Sequence, residues 1–422
     1  MEESETYDLA IVGAGPAGMM AAYRAFRCGA KVILLEKNHT PGAKLLMTGK
    51  ERCNLTNAER DPRKFADQFG NNGKFLLSGL HRFGIEDTLN FFHDNNLATV
   101  TERGNRVFPK SNRALDVLNL FTRLLKNTVT LLSDCKIKNI LHKENRIDRI
   151  TLQDNKTVKA VNYLIATGGL SYPQTGSTGD GYTWAKHLGH SITNPQPALT
   201  PLLVREKWVK DMEGVSLKNV LISLYQNNRK KEERFGEALF TDYGLSGPII
   251  LDMSKSAGKL LLNGEVKLII DFKPAMDHNK LEMRILRDLE TSKNKSIKNI
   301  LYGLLPKKIV PVFLELADID QNKKSHSITK DERKKIRILL KEFPFTVTGL
   351  LGFGKAIITT GGVNLKEINP KTMNSKLIKN LYFAGEILDL DGPTGGFNLQ
   401  VCWTTGYIAG ESASGKGYEI TQ

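Results

Sequence analysis

Residues 8–18 read DLAIVGAGPAG, an apolar strand that runs straight into a glycine-rich turn and then a helix. In the G-x-G-x-x-G spacing, Gly13 permits the tight strand-to-helix turn and Gly15 lets backbone N–H groups approach a pyrophosphate. Gly18 allows the helix to pack closely on the sheet. Pro16 fits the first helical turn, where its missing N–H has no intrahelical partner to lose. The helix from Pro16 to Cys28 ends at Gly29, and a second strand, Lys31 to Leu35, stops at an acid, Glu36. A carboxylate about 20 residues beyond the glycines is placed to accept the ribose hydroxyls of an adenosine moiety. Strand, turn, helix, second strand and terminal acid together predict a dinucleotide site. A glycine-rich turn alone does not.

The 422 residues allow two or three domains, and no apolar run approaches the ~20 residues that span a bilayer. The opening MEESETYDLA is acidic and enters the first strand directly, which predicts a cytoplasmic protein without a leader. Cys28, Cys53, Cys135 and Cys402 lie far apart, and the histidines show no ligand spacing, so neither a disulfide scaffold nor a metal site is expected. Net charge is +15, from 60 Lys+Arg against 45 Asp+Glu, which hints at a polyanionic partner.

After Glu36 the stretch EKNHTPGAKLLMTGKERCNLTN reads as an extended loop near the cofactor. Lys44 and Arg52 supply charge there, and Asn54, Thr56 and Asn57 supply polar contacts. Residues 85–97 and 112–126 carry a helical period, and TERGNRVFP between them reads as a hairpin. Residues 129–166 read as an antiparallel meander followed by one buried strand, which ends in Ala-Thr167-Gly168-Gly. Glycines and hydroxyls after a buried strand suit a backbone that passes close to a ligand.

Composition shifts at Asn194-Pro195-Gln196-Pro197, and residues 196–345 read as a separate unit of strands followed by helices. GLSGP (244–248) reads as a turn within it. This stretch holds 28 Lys+Arg and 20 Asp+Glu, +8 of the total +15. From 346 the opening style returns: a buried strand LYFAG, then Gly385-Glu386, a loop containing Gly396, Asn398 and Leu399, and an apolar helix. Residues 1–195 and 346–422 therefore read as two segments of one nucleotide-binding domain. Ligand signals at both extremities suit the extended FAD, and the single fingerprint leaves NAD(P)H as a transient visitor that reduces the flavin.

GAGPAG, KLLMTGKERCNLTN, ATGGLSYPQTGSTGDGY, LFTDYGLSGP, TTGGV and YFAGEILDLDGPTGGFNLQ resemble, in order and over nearly the whole chain, the signatures of the BaiN/RdsA (YhiN-like) flavoprotein family. The resemblance implies an α/β FAD-binding domain of the glutathione-reductase type, Rossmann-like with a ββα meander. An α+β insert with a β-barrel and a helical subdomain interrupts it. By the same resemblance, FAD contacts fall on Gly13, Gly15, Pro16, Ala17, Gly18, Glu36, Lys37, Lys44, Gly49, Arg52, Cys53, Asn54, Thr167, Gly168, Gly385, Glu386, Gly396, Asn398 and Leu399. The family often has a glycine pair before Arg-Cys-Asn. Lys50-Glu51 stand there in this chain, and their side chains narrow or recharge the approach to the flavin.

The chemistries linked to that family are reduction of an unsaturated bile-acid intermediate, oxidation of aminoacetone, and reduction of a ribosomal-RNA uridine to dihydrouridine. Three functions follow for this chain: an FAD-dependent reductase of uridine in 23S ribosomal RNA, a small-molecule flavin oxidoreductase, and a non-catalytic flavin-bearing RNA-binding protein. For the first, Cys53 is a candidate proton donor, its thiol tuned by Arg52 and Lys50, and Tyr243 is a second. Each would otherwise serve in packing or backbone contact near the flavin. The basic insert would hold phosphates while a base is unstacked.

Overall fold

The structure is a computed structural model that describes residues 6–415. The first five residues, on which the reading of a leaderless start partly rests, lie outside that range. The chain divides into two units: residues up to Pro197 together with those from Ile357 on, and Ala198–Ala356 between them.

The first unit is built on a seven-stranded sheet. Strand β1 (Thr6–Val12) runs parallel to β2 (Val32–Leu35) on one side and to Thr157–Ile165 on the other, and Leu381–Phe383 adds in parallel to the latter. Helix α1 (Pro16–Arg27) makes the crossover from β1 to β2. The four residues of β2 are all buried, as befits a parallel strand covered on both faces. Thr130–Leu132 pairs in parallel with β2, so it belongs to this layer and not to the expected meander. That meander is the remaining hairpin Ile137–Lys143/Arg146–Leu152, which joins the sheet through Thr157–Ile165.

A long helix, Phe397–Ala413, lies against α1. A Cβ at Gly406 would overlap the carbonyl of Ala17, and one at Gly410 that of Ala21, so the two backbones meet where no side chain fits. Twelve of its 17 residues are buried, and several of its polar members reach partners in other segments. Gln400 accepts from Thr56 Oγ1 at 2.6 Å and donates to Thr88 Oγ1 at 2.8 Å, and Trp403 Nε1 donates to the Leu55 carbonyl at 2.9 Å. Trp403 stacks on Phe121 with ring centroids 5.5 Å apart. Elsewhere in this unit the buried His190 bridges Glu367 (Nδ1 to Oε2, 3.0 Å) and Ser375 (Nε2 to Oγ, 2.8 Å).

The second unit is a closed barrel of six antiparallel strands carrying helices. In order around the barrel these are Leu202–Val204, Gly244–Ser246, Arg229–Phe240, Ser216–Gln226, Val266–Asp271 and Phe343–Leu350, and the last pairs back with the first. Alternation along Phe343–Leu350 turns Phe343, Phe345 and Val347 inward. Phe343 and Phe345 are 5.5 Å apart, with Phe313, Phe240 and Trp208 packed around them. The GLSGP segment departs from its reading as a turn. Gly244–Ser246 is a strand paired on both sides, and Pro248 opens the helix Pro248–Leu261.

Candidate functional site

The carboxyl ends of β1, Thr157–Ile165 and Leu381–Phe383 lie on one edge of the sheet, because the three strands are parallel and adjacent. The residues that follow them are Gly13, the run Thr167-Gly168-Gly169, and Gly385-Glu386. In α/β sheets this edge is where ligands bind.

At the first strand end Gly13 takes φ 99°, and a Cβ there would sit 2.6 Å from the Ala166 carbonyl oxygen. A Cβ on Gly18 would overlap the Gly13 carbonyl. Gly15 differs: a Cβ there would meet nothing within 4 Å. Gly15 is the N-cap of α1, which has no side-chain cap and no acid in its first turn, with Pro16 opening the helix. The turn thus presents unpaired N–H groups, including those of Ala17 and Gly18, at the positive end of a helix and faces open space, the arrangement that binds an anion.

Glu36 is buried at the end of β2. Its Oε2 accepts the Ala14 N–H and its Oε1 the Asn38 N–H, both at 2.9 Å, so it ties the turn to the second strand. Lys37 donates to Asp180 Oδ2 at 2.7 Å. Lys44 Nζ reaches Glu386 Oε2 and Ser171 Oγ at 2.6 Å each, and Glu386 Oε1 accepts Ser171 Oγ–H (2.8 Å) and the Thr359 N–H (2.9 Å). Lys44, Glu386, Ser171 and Thr359 form one network drawn from four segments. Beside it, burial and then Glu386 push the Cys402 thiol up to about 12 and hold the Tyr182 phenol well above its usual value. Thr167 Oγ1 is buried with no hydrogen-bond partner among the described residues.

The loop before Asn54 is strained. Gly49, Lys50, Glu51 and Cys53 all have left-handed φ, of 59°, 57°, 64° and 60°. Lys50 and Glu51 are exposed and occupy conformations in which glycine is relaxed. Arg52 turns to the hairpin Thr99–Glu102/Arg106–Pro109: it pairs with Glu102, donates to Asn112 Oδ1 at 2.8 Å and lies 4.0 Å over the Phe108 ring. Cys53 is fully buried, and burial pushes its thiol up to about 12, with a hydrogen bond from Thr48 as the opposing influence. This corrects the expectation that Arg52 and Lys50 tune it. The thiol stays protonated, and the Arg52 guanidinium is directed elsewhere.

Asn54, with its amide oriented to satisfy its neighbours, donates to the Val107 and Thr56 carbonyls (3.1 Å each) and accepts the Gly396 N–H at 3.0 Å. Gly396, at φ 100°, caps the helix Phe397–Ala413. Asn398 closes the preceding loop through Gly392 (2.9 and 3.0 Å) and Pro393 (3.1 Å), while Leu399 packs half-buried on the core. Tyr243 lies in the second unit, between the strands Arg229–Phe240 and Gly244–Ser246, and burial raises its phenol above the ordinary value. Sequence reasoning missed Ser171 and Thr359. Both stand in stretches quoted above, but nothing local ties them to Glu386.

FAD fits the first unit by two observations of its own: the open, uncapped turn at Gly15, and the orphaned Thr167 hydroxyl on the same sheet edge. No group of three or more potential metal ligands occurs among the described residues, and no helix among them is long and apolar enough to cross a membrane.

Residues 7–412 match the family described as HI0933-like protein Rossmann domain. The chain is 32% identical over 410 residues, 96% of its own length and 98% of the relative's, to a 3-dehydro-bile acid delta(4,6)-reductase of Clostridium scindens. It is 30% identical, with coverage of 96% and 98%, to a ribosomal RNA dihydrouridine synthase of Haemophilus influenzae. It resembles in fold a solved 3-ketosteroid-delta4-(5alpha)-dehydrogenase from Rhodococcus jostii, with a TM-score of 0.54, 14% identity and 98% of each chain covered. A 3-ketosteroid delta1-dehydrogenase from Sterolibacterium denitrificans gives a TM-score of 0.55 at 13% identity, covering 98% of this chain and all of that one.

Proposed function

This chain belongs to the HI0933-like family of FAD-dependent oxidoreductases, and within that family we propose that it reduces a C=C bond of uridine in 23S ribosomal RNA to dihydrouridine. When bound, FAD supplies a two-electron carrier that takes hydride from NAD(P)H and returns it to a substrate. The first unit's residues have the remaining work. Ala17 and Gly18 offer N–H donors to the pyrophosphate beside Gly15 and Pro16, and Glu36 accepts ribose hydroxyls. Gly13, Gly168 and Gly385 let the segments behind the sheet edge pack closely, since a Cβ on any of them would run into Ala166, Ser177 or Ala17. Lys37, Lys44, Thr167 and Glu386 would give the cofactor polar contacts, and Gly49, Arg52, Cys53, Asn54, Gly396, Asn398 and Leu399 are the further residues that would hold it. Cys53 and Tyr243 both keep their protons at neutral pH. Either therefore serves as a neutral donor that yields its proton only as the carbon beside the new C–H bond gains charge.

The observation that carries the RNA substrate is the charge of the middle of the chain, +8 between residues 196 and 345. An RNA base needs such a surface, because phosphates must be held while it is unstacked. A second reading, reduction of a small enone, is favoured by the 32% identity to the bile-acid reductase.

The test is dihydrouridine in ribosomal RNA, read by mass spectrometry after nuclease digestion, from cells with and without the gene. Loss on deletion, restored by the intact gene but not by a Gly13→Asp/Gly15→Asp double variant, is the expected result. Unchanged dihydrouridine would refute the RNA substrate and direct attention to enones.

A further inference from the structure

From Thr291 to Leu314 the chain contains no Asp or Glu and five lysines: Lys293, Lys295, Lys298, Lys307 and Lys308. The fold fastens a second basic segment to this run. Ser296 and Lys324 form an antiparallel bridge, the Ile297 N–H donates to the Lys323 carbonyl at 2.9 Å, and the Ser325 N–H donates to the Lys295 carbonyl at 3.0 Å. Lys324 Nζ reaches across to the Asn294 carbonyl at 3.1 Å, and the His326 ring meets the Lys293 carbonyl at 2.9 Å.

Lys293, Lys295 and Lys324 are exposed and Lys298 is half-exposed, and among the described residues none of the four forms an ion pair. Lys323, on the same ridge, has taken Glu332 as its partner at 2.7 Å. Other parts of the unit neutralise their charge locally, as Arg333 and Arg337 do on Glu282 and Lys341 does on Asp271. A concentration of unneutralised amines raises the local potential and is stabilised by a polyanion that displaces its counterions.

A second feature adjoins it. Tyr302 follows the short helix Ile297–Leu301 and is 37% exposed, and Lys307 Nζ lies over its ring, 5.7 Å from the centroid. An exposed aromatic face beside free amines is how unpaired bases are held without sequence readout: the ring stacks a base while the amines track the phosphates. A lipid surface would use the amines but seats an aromatic ring within an apolar patch, and the group over this ring is a lysine, Lys307. The pairing therefore favours single-stranded nucleic acid over a membrane.

We propose that this ridge, Lys293, Lys295, Lys298 and Lys324 with Tyr302, is a docking surface for an unpaired segment of RNA. The proposal rests on the RNA-substrate reading for the identity of its occupant. It adds that recognition is done by the helical part of the second unit, at a place separable from the chemistry.

The test uses the full-length flavin-loaded protein and two fluorescent probes, a short oligouridylate and a stem–loop, with binding followed by anisotropy against salt. Lys293→Gln/Lys295→Gln/Lys298→Gln should weaken oligouridylate binding about tenfold or more and flatten the log–log salt slope by about 2, at roughly 0.7 per lost phosphate contact. Tyr302→Ala should weaken binding while leaving the slope unchanged. Lys218→Gln/Arg229→Gln/Lys231→Gln removes equal charge from the barrel hairpin and should have little effect. An equal loss in that control, or none in the ridge variant, overturns the proposal, as does a ridge variant that loses only its binding to phosphatidylserine vesicles. A cooperative thermal melt and far-UV circular dichroism like the parent's confirm that each variant is folded. Ridge-dependent binding in a protein whose deletion leaves dihydrouridine unchanged would refute the substrate and keep the docking surface. Ridge-independent binding with dihydrouridine lost would do the reverse.

Discussion

The two units solve opposite problems. The barrel fills its interior with side chains: Phe343, Phe345, Phe313 and Phe240 meet in a hydrophobic centre, and its stability is that of a packed core. The first unit keeps part of its interior for backbone and polar groups. Its helices touch through glycines, Glu36 and Glu386 are held off the surface by hydrogen bonds, and Thr167 carries a buried hydroxyl with no partner among the described residues. A core of the first kind tolerates volume-conserving changes. One of the second kind is constrained by what must pass close to its backbone.

The largest test of that contrast is a reciprocal pair. Phe343→Ala should destabilise the barrel by about 3–5 kcal/mol. Gly406→Val should destabilise the first unit by about 3 kcal/mol or more, because it forces the long helix off α1. Peptide-resolved hydrogen exchange should localise each loss of protection to its own unit, and spread of either effect across both would dissolve the distinction.

Next is a pair of neighbours. Gly18→Ala drives a methyl into the Gly13 carbonyl and should lower the thermal midpoint, at a cost of about 1–3 kcal/mol. Gly15→Ala meets open space at a φ of −79° and should leave stability within about 0.5 kcal/mol. It should nonetheless weaken FAD retention about tenfold, the equivalent of roughly 1.4 kcal/mol. Flavin fluorescence after dialysis separates the two, and a Gly15→Ala protein that holds its flavin like the parent would remove the turn from the site.

A smaller effect concerns pH. Burial drives the His190 imidazole below its ordinary value near 6.5, against the pull of Glu367. The unfolded chain therefore binds a proton that the folded one refuses, so stability is full above about pH 6.5 and falls as pH drops below it. Burial works against the Glu367 carboxylate, but hydrogen bonds from Ser191 and His190 outweigh it and hold the group below its usual range. Its contribution is present above that range and is lost as pH falls through the lowered value. Chemical denaturation from pH 7 to 5 should show the His190 slope, and His190→Gln should flatten it.

The smallest test is Lys50→Gly/Glu51→Gly. Relief of two left-handed side chains is opposed by the greater freedom of glycine in the unfolded chain, and a net gain of up to about 1 kcal/mol is expected in the thermal midpoint. A loss would mean that the two side chains make stabilising contacts that outweigh the strain.

What could be read from the sequence was local. The strand, turn, helix and second strand ending at Glu36 follow from spacing within one stretch, and so does the hairpin Thr99–Pro109. Pairings set at a distance were not legible. Thr130–Leu132 has too few residues to show whether it joins a hairpin or lies beside β2. Gly244–Ser246 carries turn-forming residues and becomes a strand because barrel closure supplies partners on both flanks. Lys44 and Glu386 were both candidates, but the ion pair between residues 342 apart, with Ser171 and Thr359 completing it, belongs to the tertiary structure. The Cys53 expectation failed for a related reason. Sequence neighbours carry charge, yet burial decides the thiol, and Arg52 is occupied by Glu102.

The division of the first unit has a consequence in time. Its last strand and its long helix are translated only after the 159 residues of Ala198–Ala356, an interval of roughly 10–30 s on the ribosome. Throughout that interval the face of α1 that Gly406 and Gly410 will cover has no mate, and it still has none when Phe343–Leu350, made near its end, lets the barrel close. The nascent chain thus carries a finished domain beside an open one. The waiting α1 surface is the part of the molecule with most to gain from a chaperone.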